Sequence, residues 1–323
     1  MNTMENLIAV NENTEGIIGK FFYYSTSRIL INKDKFKEIG MSFGLPKYKP
    51  AKESKAGAYR NATTAVKDRV VVKDAAGQHI YRIYFRDNKK EDENHIYREL
   101  VKETLGARTN DYTKLANLIF DKQTETVYTD NMVSDPEIDA DAYCRRAEEL
   151  FEQFCHCYST DQVESVILDQ LERMQANKIS IHGNLYFIPN QYLPLLNVLE
   201  DYIEAIGKYN RNDGVVMSNS MFVVDDERQR RKMTEEFYIN YKRDIEFYQK
   251  RIQNFIDNGC NSKAVIERWI KKVEALSQKK KTYEEVLKQR LDDLNSEIQM
   301  LEMQSKELLV RTRLNDLQMP IAA

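Results

Sequence analysis

Basic and aromatic residues alternate along the first part of the chain in a way suited to a phosphate backbone. Lys33, Lys35, Lys37, Lys47, Lys49, Lys52, Lys55 and Arg60 are interleaved with Phe36, Phe43, Tyr48 and Tyr59. Cations that follow phosphates, beside rings on which bases stack, make a platform for single strands. The same lysines could instead solubilise a loop or pair with acidic residues further on. Arg82 and Arg86 join the candidate set because alternation in 79–86 puts Ile80, Arg82, Tyr84 and Arg86 on one face of a strand. Tyr81, Ile83 and Phe85 fall on the opposite face, the natural core side.

A second basic cluster, Arg228, Arg230 and Arg231 with Lys232, sits at an expected helix start. The helix dipole disfavours cations there, so a surface or partner role suits them better than helix stabilisation. Lys279-Lys280-Lys281 reads as a solvated helix face.

Metal and catalytic chemistry find less support. Cys144, Cys155-His156-Cys157 and His182 invite a zinc reading, but structural zinc uses ligand pairs two to four residues apart on turns. Adjacent helical positions point in different directions, so the cysteines read as small apolar packing residues. The four histidines, His79, His95, His156 and His182, stand in no nucleophile or metalloenzyme context. No phosphate-binding glycine motif occurs. The expectation is a binding protein with no cofactor and no metal.

Charge is segregated. The net −3 hides +10 over residues 28–90 (16 Lys/Arg against 6 Asp/Glu) and −13 over 91–210 (10 against 23). Such asymmetry points to an anionic partner or to internal complementarity. No apolar run approaches the roughly 20 residues needed to span a bilayer. The first residues show no basic segment followed by an apolar core, and four cysteines without a framework fit a reducing cytoplasm. Lys, Asn, Ile and Tyr are abundant and Pro and Gly scarce, as in an AT-rich bacterial or phage genome.

The elements that must hold these residues read as α+β. Residues 17–24 and 28–31 are short β segments, 33–39 a helix ended by Gly40, and 44–57 an exposed basic loop. Residues 70–74 with 79–86, and 118–120 with 126–128, read as hairpins, while 96–105 fits helix or strand. Pro136 lies in the best boundary, 130–139. Helices from Ala140 and Asp161 followed by a hairpin over 179–188 have the order of a winged-helix unit. The second helix, 161–175, carries one arginine and four acids, which argues against DNA reading by it. A third helix runs from Pro194 to near Gly207, and 214–224 is a strand or an extended lead.

The last third reads as a long antiparallel coiled-coil hairpin. Tyr238, Tyr241, Ile245, Tyr248, Ile252 and Phe255 step by three and four along the first arm. The break at Asn258-Gly259-Cys260-Asn261-Ser262 leads to a second arm with Trp269, Val273, Leu276, Lys280, Tyr283 and Leu287. Leu291, Leu294, Ile298, Leu301, Ser305 and Leu308 continue it after a stutter. At 1.5 Å per residue the second arm outruns the first by roughly 28 Å. The stripe beyond Leu291 must then pack back, on a second copy, or on another protein, which makes Leu294, Ile298, Leu301 and Leu308 partner-binding candidates. Three regions follow: a basic head at 1–135, an acidic helical module at 136–213, and the strand-like lead with its hairpin at 214–323. The functional expectation is a head that engages nucleic acid and a hairpin that self-associates or docks a partner; the alternative is a scaffold or host-modulating factor of a phage or mobile element that binds no nucleic acid, and a nuclease or other enzyme without a recognisable motif is the third and least favoured reading.

Overall fold

The structure, a computed structural model, describes residues 16–45, 54–74, 77–88, 92–105, 111–179, 183–259 and 262–318. The fold is α+β. Two compact units share the chain: one takes 1–25, 167–204 and 216–323, the other 26–166 and 205–215. The chain passes between them four times, at 25/26, 166/167, 204/205 and 215/216.

The unit spanning 26–166 is built on a five-stranded antiparallel meander. Its strands are β3 (Lys67–Asp74), β4 (Gly77–Asp87), β5 (His95–Leu105), β6 (Tyr112–Asp121) and β7 (Thr126–Asp130), each beside the next in sequence. Residues 96–105 are therefore strand. Because side chains alternate across a strand, one face is apolar: Tyr81, Ile83, Phe85, Leu100, Leu118 and Phe120 are buried on it. Helices α2 (Lys55–Ala65) and α3 (Ala140–His156) cover that face with Ala58, Tyr59, Ala62, Ala147, Leu150 and Phe151. Ser54 caps α2 by accepting from the Gly57 N–H, and Asp139 caps α3 by accepting from the Ala142 N–H. A two-stranded pair, β2 (Ile31–Asn32) with β8 (Cys157–Tyr158), and helix α1 (Lys33–Ser42) complete the unit. Helix α1 continues through Gly40 and ends at Phe43, with Gly44 following at φ +61°.

Lys102, carried inward by this sheet's buried face, holds two carboxylates. Its Nζ lies 2.9 Å from Asp135 and 2.6 Å from Glu137, and 4.2 Å from the Tyr81 ring centroid. Burial would raise the Asp135 pKa, but the Lys102 ammonium and the backbone N–H groups of Glu137 and Ile138 outweigh it and hold it below the usual range. The same ammonium lowers Glu137. A depressed carboxylate contributes stability that is full above its unfolded pKa and lost as pH falls through the folded one. Acid unfolding monitored by circular dichroism should therefore begin at higher pH in Asp135→Asn than in the parent, and Asp135→Ala should cost about 1–3 kcal/mol at neutral pH, because it removes one of the two carboxylates on Lys102 and the acceptor of the Glu137 and Ile138 N–H groups.

In the other unit, four strands lie in the order β11-β1-β10-β9: β11 (Val216–Val224), β1 (Ile17–Thr26), β10 (Leu185–Pro189) and β9 (Asn177–Lys178). Gly19 faces Pro189 across β1 and β10, and a Cβ there would overlap the Ile188 carbonyl oxygen and the Phe187 ring. Gly19→Ala is expected to cost about 1–3 kcal/mol, read from chemical denaturation, because a sheet carbonyl cannot give way as a flexible side chain can.

Between β8 and β9 runs α4 (Thr160–Arg173), and after β10 comes α5 (Leu193–Gly207). The helix–helix–hairpin order of a winged helix is present, yet α3 belongs to one unit and the β9–β10 hairpin to the other. The hairpin's second strand is spent pairing with β1.

Three helices form the second layer: α6 (Glu227–Asp257), α7 (Lys263–Leu287) and α8 (Asn295–Gln318). Asp226 caps α6 through the Gln229 N–H at 3.0 Å, and Gly259 takes the left-handed φ of +62° just past its end. Ser262 occupies the N-cap position of α7 without a side-chain cap bond; Cys260 and Asn261 lie outside the described residues.

The expected second arm is two helices, not one. Helix α7 stops at Leu287, and Lys288 enters the left-handed region at φ 52°, so the chain reverses where the spacing suggested a stutter. Lys288 and Gln289 N–H groups close on the carbonyls of Glu285 and Glu284. Glu284 Oε1 accepts from the Leu291 N–H and from Lys280 Nζ, both at 2.7 Å. Helix α8 then packs against α6 and α7. Leu294, Leu301 and Leu308 are at most 2% exposed and Ile298 is 7% exposed. Those four are therefore core residues, and the stripe beyond Leu291 folds back instead of meeting a partner. Tyr283 anchors the layer to its sheet: it stacks on Phe237 at 4.1 Å, meets Phe187 edge-on at 6.0 Å, and donates to the Gln175 carbonyl at 3.1 Å.

Candidate nucleic-acid interface

Alternation along β3 to β6 puts charge and tyrosine on the face of the meander opposite its core. Register places Lys67 across from Tyr84, and Arg69 across from Arg82. On the far side Tyr84 faces Val101, Arg82 faces Glu103 and Arg86 faces Glu99. Beyond these, Val101 faces Lys114 and Glu103 faces Tyr112. Lys67, Arg69, Lys73, Arg82, Arg86 and Tyr112 are all exposed.

Local contacts order these groups without neutralising the face. The Arg82 guanidinium lies 5.0 Å from the Tyr84 ring centroid and that of Arg86 5.5 Å from Tyr112. Glu99 is held by Arg86 at 3.0 Å and Lys114 at 3.2 Å. Burial would raise Glu99, but these two cations keep its pKa below the usual carboxylate range. Tyr112 donates to Glu103 at 3.3 Å. Burial and the nearby Glu103 carboxylate raise the Tyr84 phenol, so it stays neutral and able to stack.

The register holds one unfavourable pair. Like charges directly opposite on neighbouring strands destabilise a sheet, and Arg69 and Arg82 stand in that relation.

The other sequence candidates are placed differently. Lys33, Lys35 and Lys37 lie on α1, where Lys33 Nζ donates to the Cys155 carbonyl at 2.7 Å and Lys35 pairs with Glu38 at 2.8 Å. Lys55 pairs with Glu125 at 2.6 Å. Arg60 is exposed on α2. Tyr59 and Phe36 are fully buried, and Tyr59 stacks on Phe120 at 5.4 Å while donating to the Leu118 carbonyl at 2.7 Å. Tyr59 is therefore no stacking platform: the apolar face of α2 faces the sheet and takes the ring with it. Lys47, Tyr48, Lys49 and Lys52 lie outside the described residues. Of the later cluster, Arg230 is paired with Asp225, while Arg228 and Arg231 are exposed.

Lys67 and Arg69 lie upstream of the strand that the sequence indicates at 70–74, whereas Lys73 lies within it. Extending the alternation three residues upstream reaches the first two.

The lysine run also departs from expectation. Lys280 is 7% exposed and pairs with Glu284, so it is no solvated face. Lys279 donates to the Ala176 carbonyl at 2.8 Å and borders a cavity of about 510 Å³ with Tyr186, Asp244 and Tyr248. Burial pushes the Lys279 ammonium down and the Asp244 carboxyl up. Among the described residues no group of His, Cys, Asp and Glu is placed to hold a metal, and no helix is long and apolar enough to cross a membrane. Cys144 and Cys157 are buried thiols whose pKa burial raises, which makes them unreactive packing residues.

The molecule is thus an α+β protein that presents a basic, tyrosine-bearing face on an antiparallel sheet. It belongs to a family of unknown function, DUF6744, whose family model matches residues 17–315. No curated protein and no solved structure matches the chain.

Proposed function

We propose that the polar face of the five-stranded sheet binds single-stranded nucleic acid, without enzymatic chemistry of its own. The observation that carries this reading is the opposed pair Arg69 and Arg82. Glu103, across from Arg82 on β5, supplies one carboxylate beside the pair, and a phosphate bridging Arg69 and Arg82 would supply a second anion. Lys67 and Lys73 extend the basic edge, Arg86 and Lys114 continue it inward, and Tyr84 and Tyr112 offer ring faces at strand spacing. Lys33, Lys35, Lys37, Lys55 and Arg60 lie on α1 and α2, away from that face, and take no part in this reading.

Fluorescence anisotropy with labelled single-stranded DNA and RNA at two salt concentrations tests it. Binding that weakens steeply with salt is expected; no binding even at low salt would sink the proposal, because phosphate contacts must release counterions.

A second reading, a protein-docking factor, has one observation in its favour. Met300 and Met303 are 58% and 69% exposed on α8, and flexible thioethers suit a protein surface. Loss of captured proteins in Met300→Lys/Met303→Lys, with oligonucleotide binding unchanged, would support it. The three-and-four stripe of α6, α7 and α8 is coiled-coil spacing, and we assign it to packing inside the unit.

A further inference from the structure

Among the described residues, the edge strands of the two larger sheets are not defended alike. Strand β3 carries Lys67, Asp68, Arg69 and Lys73; β7 has five residues ending in Asp130; β9 has only two. Each is a usual means of discouraging edge-to-edge pairing. Strand β11 has none: it runs nine residues, Val216 to Val224, at the open end of the order β11-β1-β10-β9, with no charge and no proline. Met217, Met221, Phe222 and Val224 on it are 41–55% exposed.

Its sequence reads nearly the same in both directions about Asn219. Ser218 mirrors Ser220, Met217 mirrors Met221, and Val216 mirrors the apolar Phe222. Two antiparallel copies of such a strand match residue for residue around a two-fold axis, the geometry of an isologous dimer. No like charges meet within the pairing, because the strand carries none.

We propose that β11 pairs with β11 of a second copy of this chain across a two-fold axis at Asn219. The two four-stranded sheets then become one sheet of eight. Each Met217 lies opposite a Met221 of the other copy, so four exposed thioethers pack as two cross-strand pairs flanking the central Asn219 pair. Asn219 Oδ1 now accepts from the Ser220 N–H at 2.8 Å, a local bond that the new ladder replaces. The ladder is short, so association falls at the weak end of protein interfaces, with half-dissociation at roughly micromolar concentration. This inference is independent of the nucleic-acid reading, since β3 to β6 take no part in it.

Sedimentation velocity of the full chain over a dilution series tests it, together with Asn219→Lys and Asn219→Cys. The parent is expected to pass from two chains to one on dilution. Asn219→Lys sets two ammonium groups across the axis and should raise the half-dissociation concentration at least about tenfold with unchanged circular dichroism. Asn219→Cys should form a covalent dimer on mild oxidation, because opposed strand residues about 4.5–5.5 Å apart satisfy disulfide geometry. The parent under the same oxidation, and Asn212→Cys away from the strand, serve as controls and should not. A parent that stays one chain at every concentration overturns the proposal. A dimer that Asn219→Lys leaves unaltered, or one that Asn219→Cys fails to trap, overturns it equally.

Discussion

Replacing Lys67 and Arg69 together by glutamate is expected to weaken binding of a single-stranded oligonucleotide by about 10²-fold at low salt. The slope of log affinity against log salt should flatten by about 1.4, two phosphate contacts at about 0.7 each. The fold should respond in the opposite direction. With glutamate at 69, the residue facing Arg82 becomes an opposite charge, and such cross-strand pairs contribute roughly 0.2–1 kcal/mol. Binding and stability therefore separate in one variant. If Arg69 served the sheet and not a ligand, Arg69→Glu would leave anisotropy titrations unchanged, and the proposed face would lose its main support. Tyr84→Ala and Tyr112→Ala complete the series, with a loss of about 1–3 kcal/mol per stacked base and no change in salt slope.

The second large effect is expected at Glu284. Its Oε1 holds the Lys280 ammonium and the Leu291 N–H, joining the end of α7 to the reversal that precedes α8. Burial alone would raise this carboxyl, but Lys280, the Leu291 N–H and Arg290 together hold its pKa below the usual range. Glu284→Ala leaves an ammonium of 9% side-chain exposure without its carboxylate and the Leu291 N–H without its acceptor. Breaking one side of such a pair costs about 3–5 kcal/mol. Lys280→Met/Glu284→Leu should recover most of that loss, since no isolated charge remains. Urea unfolding followed by helical circular dichroism measures both; a cost below about 1 kcal/mol for Glu284→Ala would show that the reversal stands without it. The contribution of Glu284 is full above its unfolded pKa and declines as pH falls through its lowered folded value, so parent and variant should converge in acid.

Local rules explain where the sequence was legible. The Asp226 cap, the Gly259 turn and the split of Tyr81, Ile83 and Phe85 from Arg82 and Arg86 each depend on residues a few positions apart. The stripe from Trp269 to Leu308 was equally legible as buried surface, because helical periodicity decides which side chains face inward whatever they meet. What they meet is not local. One stripe drawn past Leu287 fits a single long helix and a reversal equally well, and the choice fell to Glu284 and a left-handed Lys288. For the same reason Tyr59 read as a stacking ring: nothing nearby in sequence reveals that Phe120, 61 residues on, lies beneath it.

The amino-acid sequence by itself determined the α+β content, the cationic first third, and the alternation that puts arginines on one side of a strand. Those properties follow from residue type and a period of two or 3.6. Only the tertiary structure decided that Arg69 faces Arg82, that Leu294, Ile298, Leu301 and Leu308 are core, and that β11 ends the strand order of its sheet among the described residues. Each of these is a pairing between distant segments, fixed by register and burial, which no single segment encodes.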